Sequence, residues 1–145
     1  VFYGRDELVD GIIETILASQ KSGIPEHIAI TGSPGIGKTS VGLAVFNDFR
    51  MAKHFRNARH WVWCDYAFTI RELLEHVSNS LADIPKSNDR LRDIEFFLRQ
   101  NEVPRIIGLD NFEIVWDALD TLSKSTIESL NQVSINPQTH PPYNS

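Results

Sequence analysis

His27-Ile28-Ala29-Ile30-Thr31-Gly32-Ser33-Pro34-Gly35-Ile36-Gly37-Lys38-Thr39-Ser40 is the stretch that decides the fold. Its first five residues are apolar and rich in β-branched side chains, and Pro25 and Gly32 bound them. That pattern predicts a short buried strand. A helix is expected from about Lys38 to Lys53, so the glycine-spaced segment lies where a strand hands over to a helix. Gly32, Gly35 and Gly37 allow a tight turn in which successive N–H groups point inward around an anion. The helix opening behind them adds unpaired donors and the positive end of its dipole. Lys38 brings a full charge to the β- and γ-phosphates of a nucleotide, and Thr39 offers an oxygen to Mg²⁺, a hard ion that prefers oxygen ligands. Ser40 is placed to donate towards the α-phosphate. The segment Gly32, Ser33, Pro34, Gly35, Ile36, Gly37, Lys38, Thr39 and Ser40 therefore reads as a P-loop.

Working outward, Leu8, Val9, Ile12, Ile13, Ile16 and Leu17 recur at three- and four-residue spacing and predict an amphipathic helix ahead of the strand. After the P-loop helix, His60 to Cys64 reads as a second strand, with Trp61 and Trp63 on one face and core packing as their default role. Thr69-Ile70-Arg71-Glu72 has the form of a capping box. Ile70, Leu73, Leu74, Val77 and Leu81 then trace the buried face of a helix. Leu91, Ile94, Phe97 and Leu98 mark another, which ends before Pro104. Arg105 to Leu109 is a third strand that delivers Asp110 at its carboxyl end. Alternating strands and helices imply an α/β domain with a mostly parallel sheet, and ligands of such sheets sit at the carboxyl ends of the strands. Beyond Trp116 the periodicity fades. Ser125-x-x-Glu128 can open a short helix, and residues 136–145, with Pro137, Pro141 and Pro142, are expected to be a disordered end.

Asp110 follows the P-loop by about seventy residues, the arrangement in which a strand-end aspartate holds Mg²⁺ through a water. Glu113 is the nearest acid after it and the candidate for orienting or deprotonating an attacking water; a solvated or helix-capping role fits it equally. Asn111, next to Asp110, is a poor general base, so slow turnover is expected.

Composition narrows the classes. Of 145 residues, 41% are hydrophobic and 23% charged, as in soluble globular domains. The net charge of −5 argues against a nucleic-acid partner. No apolar run approaches the ~20 residues that span a bilayer, and no leader pattern precedes the first helix. Cys64 is the only cysteine, which excludes an internal disulfide and reads as a buried thiol. A cytoplasmic location is expected. Val1 in place of Met reads as the start of an excised piece. The histidines lack metal-site spacing.

Several features together resemble the STAND class of signalling ATPases, of NB-ARC type. Val1-Phe2-Tyr3-Gly4-Arg5-Asp6-Glu7 is similar to the element that opens their nucleotide domain and passes near the adenine. The resemblance implies base-side contacts from Phe2, Tyr3, Gly4 and Arg5. Gly35-Ile36-Gly37-Lys38-Thr39-Ser40-Val41-Gly42-Leu43-Ala44 looks like the family's GxGKT-x-LA pattern, and Phe55 to Trp63 resembles its second strand. Leu109-Asp110-Asn111-Phe112-Glu113 with Trp116-Asp117 is similar to fungal members. Many relatives carry a second acid where this chain has Asn111. The next strand, which ends in a phosphate-sensing arginine, has no match after Trp116, nor has the GLPLA-like element, the winged helix or a repeat domain. The resemblance thus implies a three-layer P-loop NTPase fold, incomplete at its C-terminal side, with a partial domain over residues 1–135. It further implies ATP or ADP with Mg²⁺ as ligands, a nucleotide-dependent switch with slow hydrolysis, and self-oligomerisation and protein partners for the longer protein. A catalytic P-loop enzyme, AAA-like or a phosphoryl transferase, and a non-binding interaction module remain the alternatives.

Overall fold

The computed structural model describes residues 4–24, 26–81, 84–100, 103–118, 124, 125 and 128. The expected disordered end at 136–145, and most of the segment around the Ser125-x-x-Glu128 helix, lie outside the described residues. The chain divides into two compact units, Val1–Trp61 with Val103–Asp110, and Val62–Glu102 with Asn111–Ser145.

The first unit is built on α1 (Asp6–Ser22), α2 (Lys38–Asn47) and α3 (Phe49–Phe55). Asp6 and Glu7 in the first turn of α1 and Lys21 in its last complement the helix dipole. The apolar stripe of α1 meets that of α2: Val9, Ile13, Val41, Val45, Met51 and Phe55 form one buried cluster, with Ile12, Ile16, Leu17, Ile30, Ala44 and Ile106 against it. Leu8, counted with the stripe in the sequence, stands at its edge and is half exposed. The helix expected from Lys38 to Lys53 is broken at Asp48, whose extended backbone ends α2 and whose carboxylate accepts the Arg50 N–H as the N-cap of α3. Arg50 also reaches both Asp48 (2.9 Å) and Asp10, so a single guanidinium ties α3 to α1.

The strands β1 (Arg59–Trp63) and β2 (Ile106–Asp110) form a two-stranded sheet. Ile106 N–H donates to the Ala58 carbonyl (3.0 Å), which aligns the two strand starts and makes the pair parallel. Trp61 packs edge-on against Phe46, with centroids 4.9 Å apart. Its indole lies where Gly42 and Gly108 leave room: a Cβ on Gly42 would fall 2.6 Å from Trp61 Cη2, and one on Gly108 2.8 Å from Cε3.

Two expectations fail here. His27–Thr31 forms no strand among the described residues, and positions 26–29 are exposed, although Ile30 touches the core cluster. A strand is stable only when its N–H and C=O groups find a ladder, and none of the described segments supplies one there. Among the described residues the sheet is correspondingly small. Trp61 and Trp63 also part company, for Trp63 is 53% exposed. The period of two assigns a face, but burial requires another element to cover it.

The second unit carries α4 (Ile70–Ser80), α5 (Arg90–Gln100) and α6 (Phe112–Ala118). The capping box forms as expected. The Thr69 hydroxyl accepts the Glu72 N–H (3.2 Å), and Glu72 accepts those of Phe68 and Thr69 (2.7 and 3.0 Å). These two amides hold the Glu72 carboxyl below its ordinary pKa. Helices α4 and α5 pack together. Leu73, Leu74, Val77, Leu81, Ile94 and Val115 are buried, and Cys64 is a fully buried thiol outside any disulfide.

Candidate phosphate-binding site

The candidate site belongs to the first unit and grows from the turn between Thr31 and α2. Ile36 N–H closes the turn on the Ser33 carbonyl (3.2 Å). Gly35 and Gly37 have φ of +78° and +94°, a region where a side chain is strained, so these two positions need glycine. Gly32 to Ile36 are open to solvent, Gly37, Lys38 and Thr39 are partly buried, and Ser40 is exposed in the first turn of the helix. Gly37 is the N-cap of α2 and gives it no side-chain cap. The first amides of the helix are therefore not capped by a side chain of Gly37.

Lys38 Nζ donates to the Gly32 carbonyl (2.8 Å) and, at 3.4 Å, to that of Ser33, so the ammonium is folded across its own loop. Thr39 Oγ1 donates to Asp110 Oδ1 at 2.8 Å, a contact between residues 71 positions apart. Asp110 is 8% exposed, and its Oδ2 is buried without a hydrogen-bond partner. A buried anionic oxygen left over in this way costs free energy unless a cation or donor meets it. Together with the Thr39 hydroxyl, it fits a hard divalent cation that takes most of its remaining ligands from water and phosphate. Among the described residues there is no cluster of three His, Cys, Asp or Glu side chains, so an all-protein metal cage is not formed there.

The residues named from the opening element divide. Phe2 and Tyr3 lie outside the described residues. Gly4 has φ of +83°, and Arg5, the residue before α1, accepts the Val9 N–H (3.0 Å) on its carbonyl. The Arg5 side chain runs to the P-loop: a Cβ on Gly37 would fall 3.3 Å from Arg5 Nη1. Glu113 sits exposed in the first turn of α6, in the second unit. In the same unit, Asn111, with φ of +55°, donates its side-chain amide to Asp65 Oδ1. Sequence reasoning passed over Asp65, and the available signal was a carboxylate directly beyond an apolar strand.

The NB-ARC domain model matches residues 5–135. Two Solanum bulbocastanum proteins named for disease resistance are similar. RGA4 is 27% identical over 118 residues, 79% of this chain and 11% of its own length. RGA2 is 29% identical over 86 residues, 57% of this chain and 9% of its own. An Arabidopsis thaliana protein named in the same way is 25% identical over 122 residues, 81% of this chain and 8% of its own. The chain thus spans about a tenth of the length of these relatives. No solved structure matches it significantly. With most of its length under one family model and a P-loop assembled against Asp110, this chain belongs to the NB-ARC family of P-loop NTPase domains.

Proposed function

We propose that this domain binds ATP and ADP with Mg²⁺ through Gly32–Ser40, and that it is the nucleotide-operated part of a longer signalling protein of the disease-resistance kind. The observation that carries the reading is the Thr39–Asp110 hydrogen bond, with Asp110 Oδ2 left over beside it. Lys38 and the α2 amides bind the β- and γ-phosphates. Thr39 binds Mg²⁺ directly and Asp110 through a water. Bound Mg²⁺ supplies neutralisation of the phosphate charge; the chain's own part is to bind and orient. Glu113 is the candidate for the hydrolytic water, and with an amide at Asn111 turnover is slow. In the longer protein, ADP favours a closed state and ATP an open, self-associating one, a shift that requires different affinities for the two states. The cytoplasm is the proposed location. Among the described residues no helix is long and apolar enough to cross a membrane.

The test is calorimetric titration of ATP, ADP and GTP, with and without Mg²⁺, on the chain and on Lys38→Ala. Losing one charge-assisted contact costs about 1.5–3 kcal/mol, so Lys38→Ala is expected to weaken ATP by roughly ten- to a hundred-fold. A folded chain that binds no nucleotide, or one indifferent to Lys38→Ala, overturns the proposal.

A further inference from the structure

We infer that the first unit carries a second ligand site, at the opposite end of α2 from the P-loop, for a small organic carboxylate with an apolar body. The inference stands apart from the nucleotide reading. Helix α2 runs for ten residues, about 15 Å, from its N-cap at Gly37 to its last residue, Asn47. Between that last turn and the start of β1 lies a cavity of about 360 Å³, a size suited to a small molecule. One wall is apolar, made of Leu43 and Phe46 with the Trp61 indole edge-on to the Phe46 ring. The other is made of Asn47, Arg56, Asn57 and Arg59, so it offers amides and guanidiniums and no carboxylate. Asp48, the nearest acid in sequence, is held by Arg50.

The two arginines are set in place by different means. Arg59 is fixed through its side chain, with Nε donating to the Arg56 carbonyl (3.0 Å) and Nη1 to that of Phe46. The second of these bonds satisfies a carbonyl at the negative end of α2. Arg56 is fixed through its backbone. It caps α3 with φ of +50° and ψ of −122°, its N–H bonded to the Ala52 carbonyl (3.0 Å) and its own carbonyl held by Arg59. A positive φ at a helix end favours glycine and strains a long side chain. The chain nonetheless places an arginine there, and such strain points to a use for the side chain. The Asn47, Arg56 and Asn57 side chains are exposed, and among the described residues none of them makes a hydrogen bond or ion pair. A planar fork of donors beside two amides suits a carboxylate, and the Leu43–Phe46–Trp61 wall suits the apolar body that carries it. Inorganic phosphate has no such body.

Titration of the full chain with hydrocinnamate, followed by amide and indole NMR shifts, tests the site. Hydrocinnamyl alcohol keeps the ring and loses the charge, and propionate keeps the charge and loses the ring. The expected result is saturable binding of hydrocinnamate, with shifts centred on Asn47, Asn57 and Trp61, and at least tenfold weaker binding of the other two. Arg56→Gln and the exposed Asn57→Ala should each weaken hydrocinnamate, the former about tenfold. Arg56→Gly separates binding from folding: glycine accepts the positive φ, so the melting temperature holds or rises while affinity falls. Alcohol that binds as tightly as the acid overturns the inference, as does hydrocinnamate that never saturates or that ignores both Arg56 substitutions. Hydrocinnamate displaced by Mg²⁺-ATP or by inorganic phosphate would lie at the P-loop, and that too overturns it.

Discussion

At Asp110 the two carboxylate oxygens have different work. Oδ1 positions Thr39, and Oδ2 is buried with no protein partner. Asp110→Asn keeps the acceptor that Thr39 needs and removes the anionic oxygen. We expect it to fold normally, to hold ATP without Mg²⁺ as well as before, and to lose most of the gain that Mg²⁺ gives. Parallel titrations with and without the metal check this. Gly37→Ala acts differently, because φ of +94° strains any L side chain and the new methyl meets the Arg5 guanidinium. Loss of ATP affinity with the core intact is the expected outcome, measured by binding and by thermal melting together. Lys38, Thr39 and Asp110 stood out as candidates in the sequence because the chemistry of phosphate and Mg²⁺ allows few residue types at those places, and the structure brings Thr39 and Asp110 together. The direction of Arg5 was not legible, since where a side chain goes depends on how α1 leans on α2, and spacing carries no record of that.

Between elements, glycine decides how closely helix and strand approach. Trp61 occupies the space left bare by Gly42 on α2 and Gly108 on β2. Gly42→Ala puts a methyl 2.6 Å from the indole, although alanine is the better helix former. Overpacking of this kind costs about 1–3 kcal/mol, so we expect a net loss of stability in urea unfolding. The sequence shows both glycines, but it does not show that the same ring rests on them. The Thr69 capping box was legible, as its residues are local to one turn. Thr69→Ala is expected to cost about 1 kcal/mol in the same assay. Asp48 was overlooked even though Asn47-Asp48 is good capping chemistry, because the apolar pattern runs across it. His27–Thr31 failed for the opposite reason: its composition favours a strand, but a strand is a property of two segments, and only one was being read.

At the scale of the chain, the family and the mixed helix-and-strand class were legible, whereas the two-strand extent of the sheet among the described residues was not. Electrostatics adds a pH dependence to the first unit. The Arg50 side chain hydrogen-bonded to Asp48 holds that carboxyl below its ordinary pKa, and Asp48 in turn raises the pKa of the already charged guanidinium. A carboxylate whose folded pKa is depressed contributes stability that is present above the unfolded value, about 3.9, and is lost as pH falls through the folded one. Glu72 has the same sign. The contribution of Asp48 therefore appears as a difference: the chain should lose melting temperature more steeply than Arg50→Met as pH falls below the ordinary carboxylate range. The pair is partly solvated, so the difference is expected to shrink in high salt.

Cys64, the one sulfhydryl of the molecule, gives the second unit a chemical clock. Because the thiol is fully enclosed, an alkylating reagent reaches it only when its surroundings part. The rate of labelling therefore counts openings around the end of β1, one molecule at a time. With Mg²⁺-ATP present, a slower rate would mean that ligand held by the first unit is felt in the second, and an unchanged rate would mean that the two respond separately.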